Sequence, residues 1–244
     1  MRVVALRRYP VKSMQGEALP AARIGDHGIV GDRRFGVLDL DSGFVLTARR
    51  VPALLGAGAA YDDDTDTVRI TTDAGDVLAS DDALSRWLGR PVRLVRADTG
   101  VRGTFENVVD PEREETSAWV RWQGPLGSYH DSGRTQVSIV GEESLGDWDP
   151  RRFRPNVVVS GGAEDGLVGR RVSLGDAVLE VVKRIERCVI TTRAQPGGIE
   201  RDLDVLRTVQ RERQGCVGVG AVVVRSGTVR TGDRVSPVGG GPAG

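Results

Sequence analysis

The sequence predicts a mainly β protein with a few peripheral helices. Two observations lead to that class. Short β-branched runs such as "TVRITT", "VRLVRA", "QVSIVG" and "NVVVSG" recur along the chain, with turn residues between them at the spacing of barrels or sandwiches. Segments with helix caps and a helical apolar period are few and short.

Taken in order, "RVVALRRY" reads as a first strand, and Pro10 follows it. In "LDLDSGFVLTA" the residues Asp41, Ser42 and Gly43 turn the chain between two strands, the clearest hairpin in the sequence. The acidic "YDDDTDT" is a surface loop that leads into the strand "TVRITT". In "SDDALSRWLG", Ser80 is an N-cap, the acidic residues after it suit the first turn, and Gly89 stops the helix. After the strand "VRLVRA", the polar "RADTGVRGTFENVVDPEREETS" is a long surface segment that places a domain boundary near residue 100. "GEESLGDW" offers one or two helical turns between "QVSIVG" and "NVVVSG". The strand "AVLEVVKRI" precedes "ERDLDVLRTVQRERQG", a helix with Leu203, Leu206 and Val209 on one face that ends at Gly215. "GAVVVRS" is a further strand. The expected organisation is residues 1–100, residues 101–238 and a flexible tail over 239–244.

A chain of 244 residues buries a substantial core without disulfides or structural metals. Its 34 basic residues balance its 34 acidic ones, which gives no electrostatic case for nucleic acid. The basic residues are nearly all Arg, and Lys occurs only at positions 12 and 183. No secretory signal opens the sequence and no window suits a membrane span, so a cytoplasmic protein with no membrane partner is expected. In that compartment Cys188 and Cys216 are expected as thiols rather than as a disulfide.

Several kinds of chemistry are excluded on pattern. His27 and His130 belong to no spaced metal-ligand set, and the run His130-Asp131-Ser132 cannot form a hydrolytic triad because triad partners converge from separate segments. "GCVGVGAVVV" lacks the third glycine and the opening helix of a dinucleotide fingerprint, and no P-loop is present. The basic residues are more informative. Lys12 and Ser13 follow a strand in "YPVKSMQG", Arg33 and Arg34 begin another in "GDRRFGV", and Arg154 and Asn156 open a third in "RRFRPNVVVSG". A phosphate-bearing ligand needs this combination of Lys charge, Arg fork and hydroxyl or amide donors. Cys188 has Arg184, Arg187 and Arg193 as sequence neighbours, which could favour a thiolate, but positive charge alone does not decide, and the local sequence by itself leans toward an inert buried thiol. Cys216, among apolar residues and glycines, reads as a core thiol.

In this order, "YPVKS", "GDRRFGVLDLDSGFVLTARR", "FRPNVVVSG", "ERCVITT" and "SGTVRTGD" resemble the MOSC superfamily, in the form with a β-barrel region ahead of the MOSC domain. The resemblance runs from about residue 2 to 236 and implies a β-barrel-like fold. Within the superfamily it is to the amidoxime-reducing enzymes, which use a molybdenum cofactor to reduce N-hydroxylated compounds. It implies a molybdenum-molybdopterin cofactor with the Cys188 thiolate on the metal and with Lys12, Ser13, Arg34, Arg154, Asn156 and Arg187 around the pterin and its phosphate. It also implies a small N-oxygenated substrate and a separate electron-transfer protein, because no C-x-x-x-x-C-x-x-C cluster motif is present. Sulfur transfer through a Cys188 persulfide and noncatalytic carriage of the cofactor fit the same residues.

The chain departs from the family pattern at Met14, Ile185 and Glu186. It also has Gly220 near the place where the reductases carry a tyrosine, so a reshaped pocket is expected there.

Overall fold

The β-branched runs of both halves of the chain meet in one large sheet. The structure is a computed structural model that describes residues 1–98, 100, 102–110 and 116–238; the tail expected over 239–244 lies outside the described residues. In chain order the strands of the sheet are β1 (Val3–Arg8), β2 (Glu17–Leu19), β3 (Val137–Gly141), β4 (Val157–Val159), β5 (Arg171–Leu174), β6 (Ala177–Glu186), β7 (Cys216–Arg225) and β8 (Val235–Pro237). Across the sheet they lie in the order β8-β5-β6-β7-β3-β4-β1-β2. Neighbours are antiparallel except β3 and β4, which run parallel with Ile139 opposite Val157.

One face of this curled sheet closes over Val3, Leu6, Ile139, Val157, Leu179 and Val219, each almost wholly removed from water. At about 1.5–3 kcal/mol for each fully buried aliphatic side chain, this cluster is a main stabilising term of the fold. Because β1 pairs with β4 on one side and with β2 on the other, the first twenty residues complete a sheet made largely by the last hundred. Gly227–Arg230 returns the exchange by pairing with Ala21–Gly25.

A second apolar cluster includes Val11, Met14, Phe35, Leu54 and Leu84. It is enclosed by the pairs Phe35–Asp39 with Val92–Arg96 and Ala57–Asp62 with Thr67–Thr72, and by helix α1 (Asp81–Leu88). α1 ends where expected: Ser80 Oγ accepts from Ala83 N, and Gly89 caps the helix at φ +66°. Helices α2 (Glu142–Leu145) and α3 (Asp204–Arg213) complete the described α-helical content, so the fold is mainly β as the sequence predicts.

Three local expectations change. At Asp41-Ser42-Gly43 the turn forms, with Asp39 Oδ1 accepting from Asp41 N, Ser42 N and Ser42 Oγ. The return limb pairs back over a short length, with Asp39 N donating to the Phe44 carbonyl and Leu46 N to the Val37 carbonyl around the Leu38–Val45 bridge, while Val45 N faces away to the Thr104 carbonyl, so the hairpin forms but is shorter than expected. Within the polar stretch after residue 96, Arg102–Val108 is a strand paired with Trp119–Leu126. Phe105 anchors it between Trp122 and Tyr129. In α3 the buried face is Val205 and Val209, one turn apart, while Leu203 precedes the helix and stays 44% exposed. No described helix is long and apolar enough to cross a membrane.

Candidate functional site

A pocket of about 270 Å³ opens where the segment after β1, the starts of β3 and β4 and the end of β6 converge. Seven of its lining residues are basic and two acidic, in a chain whose net charge is zero. Both lysines of the chain, Lys12 and Lys183, line it. Lys183 is turned to it by strand irregularity: the register of β6 against β7 shifts between Val181 and Lys183 and again between Arg184 and Glu186. Such bulges re-aim side chains that a strict two-residue period would send to the core.

Lys12 is 3% exposed. Its Nζ donates to the Tyr129 carbonyl at 3.0 Å and to Asp131 Oδ1 at 2.9 Å, and lies 4.2 Å from the centre of the Phe105 ring. Burial lowers its pKa to about 8, an effect that Arg49 and Arg33 reinforce and Asp131 opposes. Ser13 Oγ accepts from Ala48 N at 2.9 Å, which leaves the hydroxyl proton available to a ligand.

Three of the five described non-glycine residues with positive φ line the pocket: Ser13 at +70°, Arg33 at +48° and Arg154 at +53°. Left-handed backbone at a non-glycine residue costs roughly 1–3 kcal/mol and concentrates at functional sites. Arg33 and Arg154 both stack on Tyr9, with their guanidinium carbons 4.6 and 4.4 Å from its ring centre. Arg33 is anchored by Asp32, and Arg154 Nη1 donates to the Met14 carbonyl at 2.6 Å. Arg154 Nη2 is buried and has no partner, and burial lowers the pKa of this guanidinium to about 10. Asn156 is held by Ser138, whose N and Oγ both donate to its Oδ1.

Cys188 stands at the end of β6, immediately before the 3₁₀ turn Val189–Thr192. The two threonines of "RCVITT" fix that turn, Thr191 Oγ1 donating to the Cys188 carbonyl and Thr192 Oγ1 to the Val189 carbonyl. Arg152 secures it from beneath through the Thr191 carbonyl. The thiol is partly exposed and unpaired with Cys216, and Arg49 is close enough to hydrogen-bond it. Burial works against the Arg49 charge, but Cys188 and Asp131 together raise its pKa above the ordinary value. Asp131, with 61% of its side chain exposed, is held well below the usual carboxylate range by Lys12 and Arg49 despite the desolvation that opposes its charge.

The pocket therefore gathers Lys12, Ser13, Arg154, Asn156, Arg187 and Cys188 from the residues singled out in the sequence. Arg187 differs in how it serves: its guanidinium donates to the Val217 and Phe153 carbonyls and ties the Cys188 segment to both. Arg34 stands apart, bonded to Asp66 and to the Ala97 carbonyl, and the adjacent Arg33 lines the pocket instead. Arg33 sits in a left-handed turn just ahead of the strand that begins at Phe35, and its side chain leaves the chain toward the pocket while that of Arg34 goes to Asp66. Arg49, His130 and Asp131 were not singled out as site residues. Lys183 was marked only by the rarity of lysine, and "HDS" belongs to the pocket wall rather than to a triad.

The departures also find explanations. Met14 is fully buried in the second apolar cluster. A side chain at Gly220 would run into Thr135, so Thr135, which lines the pocket, occupies the space that the missing ring would need. Glu186 is exposed at the pocket.

A molybdenum-pterin phosphate suits this donor set. Its anionic end would meet Lys12, Arg33 and Arg154, whose buried Nη2 lacks a partner, and its soft metal would meet the Cys188 sulfur. No described group of three or more His, Cys, Asp or Glu side chains is placed to hold a metal, so the thiolate would be the ligand this chain contributes.

Residues 1–110 match the MOSC N-terminal beta barrel domain and residues 127–236 match the MOSC domain. The chain is 27% identical over 254 residues to mitochondrial amidoxime-reducing component 1 of Homo sapiens, covering 87% of this chain and 72% of that one. It is 23% identical over 259 residues to the molybdenum cofactor sulfurase of Oryza sativa subsp. japonica, covering 84% of this chain but 30% of the sulfurase. Among solved structures, the YuaD protein of Bacillus subtilis superposes with a TM-score of 0.43 at 16% identity, covering 96% of this chain and 93% of that one.

Proposed function

We propose, from the premise that this chain belongs to the MOSC family with a MOSC N-terminal beta barrel domain ahead of the MOSC domain, that it is a molybdenum-cofactor-dependent reductase of N-hydroxylated or similar N-oxygenated compounds. The observation that carries the reading is the convergence of a partly exposed thiol, Cys188, with seven basic side chains on one pocket. Its similarity to an amidoxime-reducing component supports the reaction class.

When bound, the cofactor supplies two-electron removal of oxygen from the substrate. The chain's own residues do the remaining work. Lys12, Arg33 and Arg154 hold the anionic end, already oriented by Asp131, Asp32 and the Met14 carbonyl. Arg49 sets a positive charge beside the Cys188 sulfur. The 3₁₀ turn fixed by Thr191 and Thr192 sets where that sulfur stands. Asp131, ionised at the mouth, holds the Lys12 ammonium in place, and the conversion of N–OH to N–H and water consumes two protons from solvent together with two electrons. The electrons come from a separate donor protein.

The test is reduction of an amidoxime by protein isolated from a cofactor-producing host, with a chemical electron donor. Turnover that is lost in Cys188→Ala supports the proposal. Loaded protein that fails to reduce any N-oxygenated compound points to cofactor carriage, and cyanide-releasable sulfur on metal-free protein points to sulfur transfer.

A further inference from the structure

We infer that His130, backed by the Asp32 carboxylate, is a proton-accepting ligand of this pocket, which takes up one proton from solvent as a divalent oxyanion settles among Lys12, Arg33 and Arg154. The inference rests on reading the pocket as an anion site. His130 lines the pocket and is 8% exposed. Its Nε2 is buried, has no hydrogen-bond partner, and lies 3.8 Å from Asp32 Oδ2, too far for a hydrogen bond. Asp32 is itself fully shielded, accepting from Tyr9 N and from Arg33. A buried imidazole without a partner is costly, and the cost is relieved when a bound group completes its interactions.

The charges around His130 say which group would do so. Those that face it are Asp32 and Arg33 from one segment, Lys12 from another and its neighbour Asp131. Burial, with Arg33 and Lys12, lowers its pKa to about 4 and keeps the ring neutral in the ligand-free protein. A doubly charged oxyanion offsets the field of the two cations and gives the protonated ring an acceptor. A carboxylate behind an imidazole fixes its tautomer and raises its basicity. The imidazolium then faces the Asp32 carboxylate as an ion pair at 3.8 Å and has an N–H to give to the ligand. A phosphomonoester and an inorganic oxyanion present the same chemistry to it.

The chain has only two histidines, and His27 is exposed in a turn outside the pocket, so their ring signals can be followed by NMR in the full chain. Sulfate is the probe, because phosphate gains its second proton near pH 6–7 and would obscure the titration. The comparison is with chloride at equal ionic strength. With saturating sulfate the His130 pKa is expected to rise by at least about one unit, a tenfold gain in proton affinity, while that of His27 stays put. Calorimetry near pH 4.5 in two buffers of different ionisation enthalpy should register the uptake, about half a proton for a one-unit shift from about 4, and His130→Gln should bind sulfate without it. Sulfate binding with an unmoved His130, or an equal shift at His27, overturns the inference and leaves the anion site standing. Failure of sulfate to bind overturns both.

Discussion

Lys12 Nζ donates to Asp131 Oδ1 at 2.9 Å and so joins residues 119 positions apart across the mouth of the pocket. The pair is unequal, since the lysine is 3% exposed and the carboxylate 61%. Asp131→Asn leaves the buried ammonium with only the Tyr129 carbonyl and the Phe105 face. We expect a loss of about 1 kcal/mol in urea unfolding, discounted for the exposure of the aspartate. Sulfate binding should tighten at the same time, because the pocket loses a negative charge.

Arg33 and Arg34 are adjacent and chemically alike, yet they should separate cleanly. Arg33→Ala should weaken sulfate binding by about tenfold or more, the scale of a lost charge-assisted contact. Arg34→Ala breaks the ion pair with Asp66 and should leave binding within about twofold. Calorimetric titration of both variants, with circular dichroism as the check on folding, decides between them.

His130 sets an acid limit on the fold. Its pKa falls from 6.5 to about 4 on folding, so between those values the unfolded chain holds a proton that the folded chain lacks. Stability is unaffected above pH 6.5 and declines as the pH falls toward 4, by up to about 3 kcal/mol. Urea melts across that range should show the decline in the native protein and a shallower one in His130→Gln. Lys12, lowered from 10.5 to about 8, acts in the other direction of the scale: the cost of burying its charge disappears as pH rises from 8 to 10.5.

Gly220 and Thr135 should behave as a coupled pair. Gly220→Ala forces a methyl group into Thr135 and should destabilise by about 1–3 kcal/mol. Thr135→Gly combined with Gly220→Ala should recover much of that loss, which a double-mutant cycle of melting curves measures.

Much of the architecture could be read from residue patterns. The β-branched runs, the Ser80 and Gly89 caps and the Asp41-Ser42-Gly43 turn act locally and formed as their chemistry dictates. Arg102–Val108 escaped notice because its inward positions include Gly103 and Phe105 within a polar stretch, and its partner strand gives them burial that no local pattern announces. The same holds at the site. Motifs mark Lys12, Arg154 and Cys188, whereas the choice of Arg33 over Arg34 depends on the left-handed turn at Arg33 just ahead of the strand. Arg49 and His130 come to the pocket through long-range packing, and the positive φ of Ser13, Arg33 and Arg154 has no signature in residues that are not glycine.

The central claim is that Cys188 and the basic pocket hold one molybdenum-containing cofactor. Metal and pterin analysis of protein purified from a cofactor-producing host, native beside Cys188→Ala, tests it most directly. About one molybdenum per native chain is expected, with loss of the metal in the variant and thermal midpoints that stay close because the thiol is partly exposed. Metal-free native protein, or equal molybdenum in both, would contradict it.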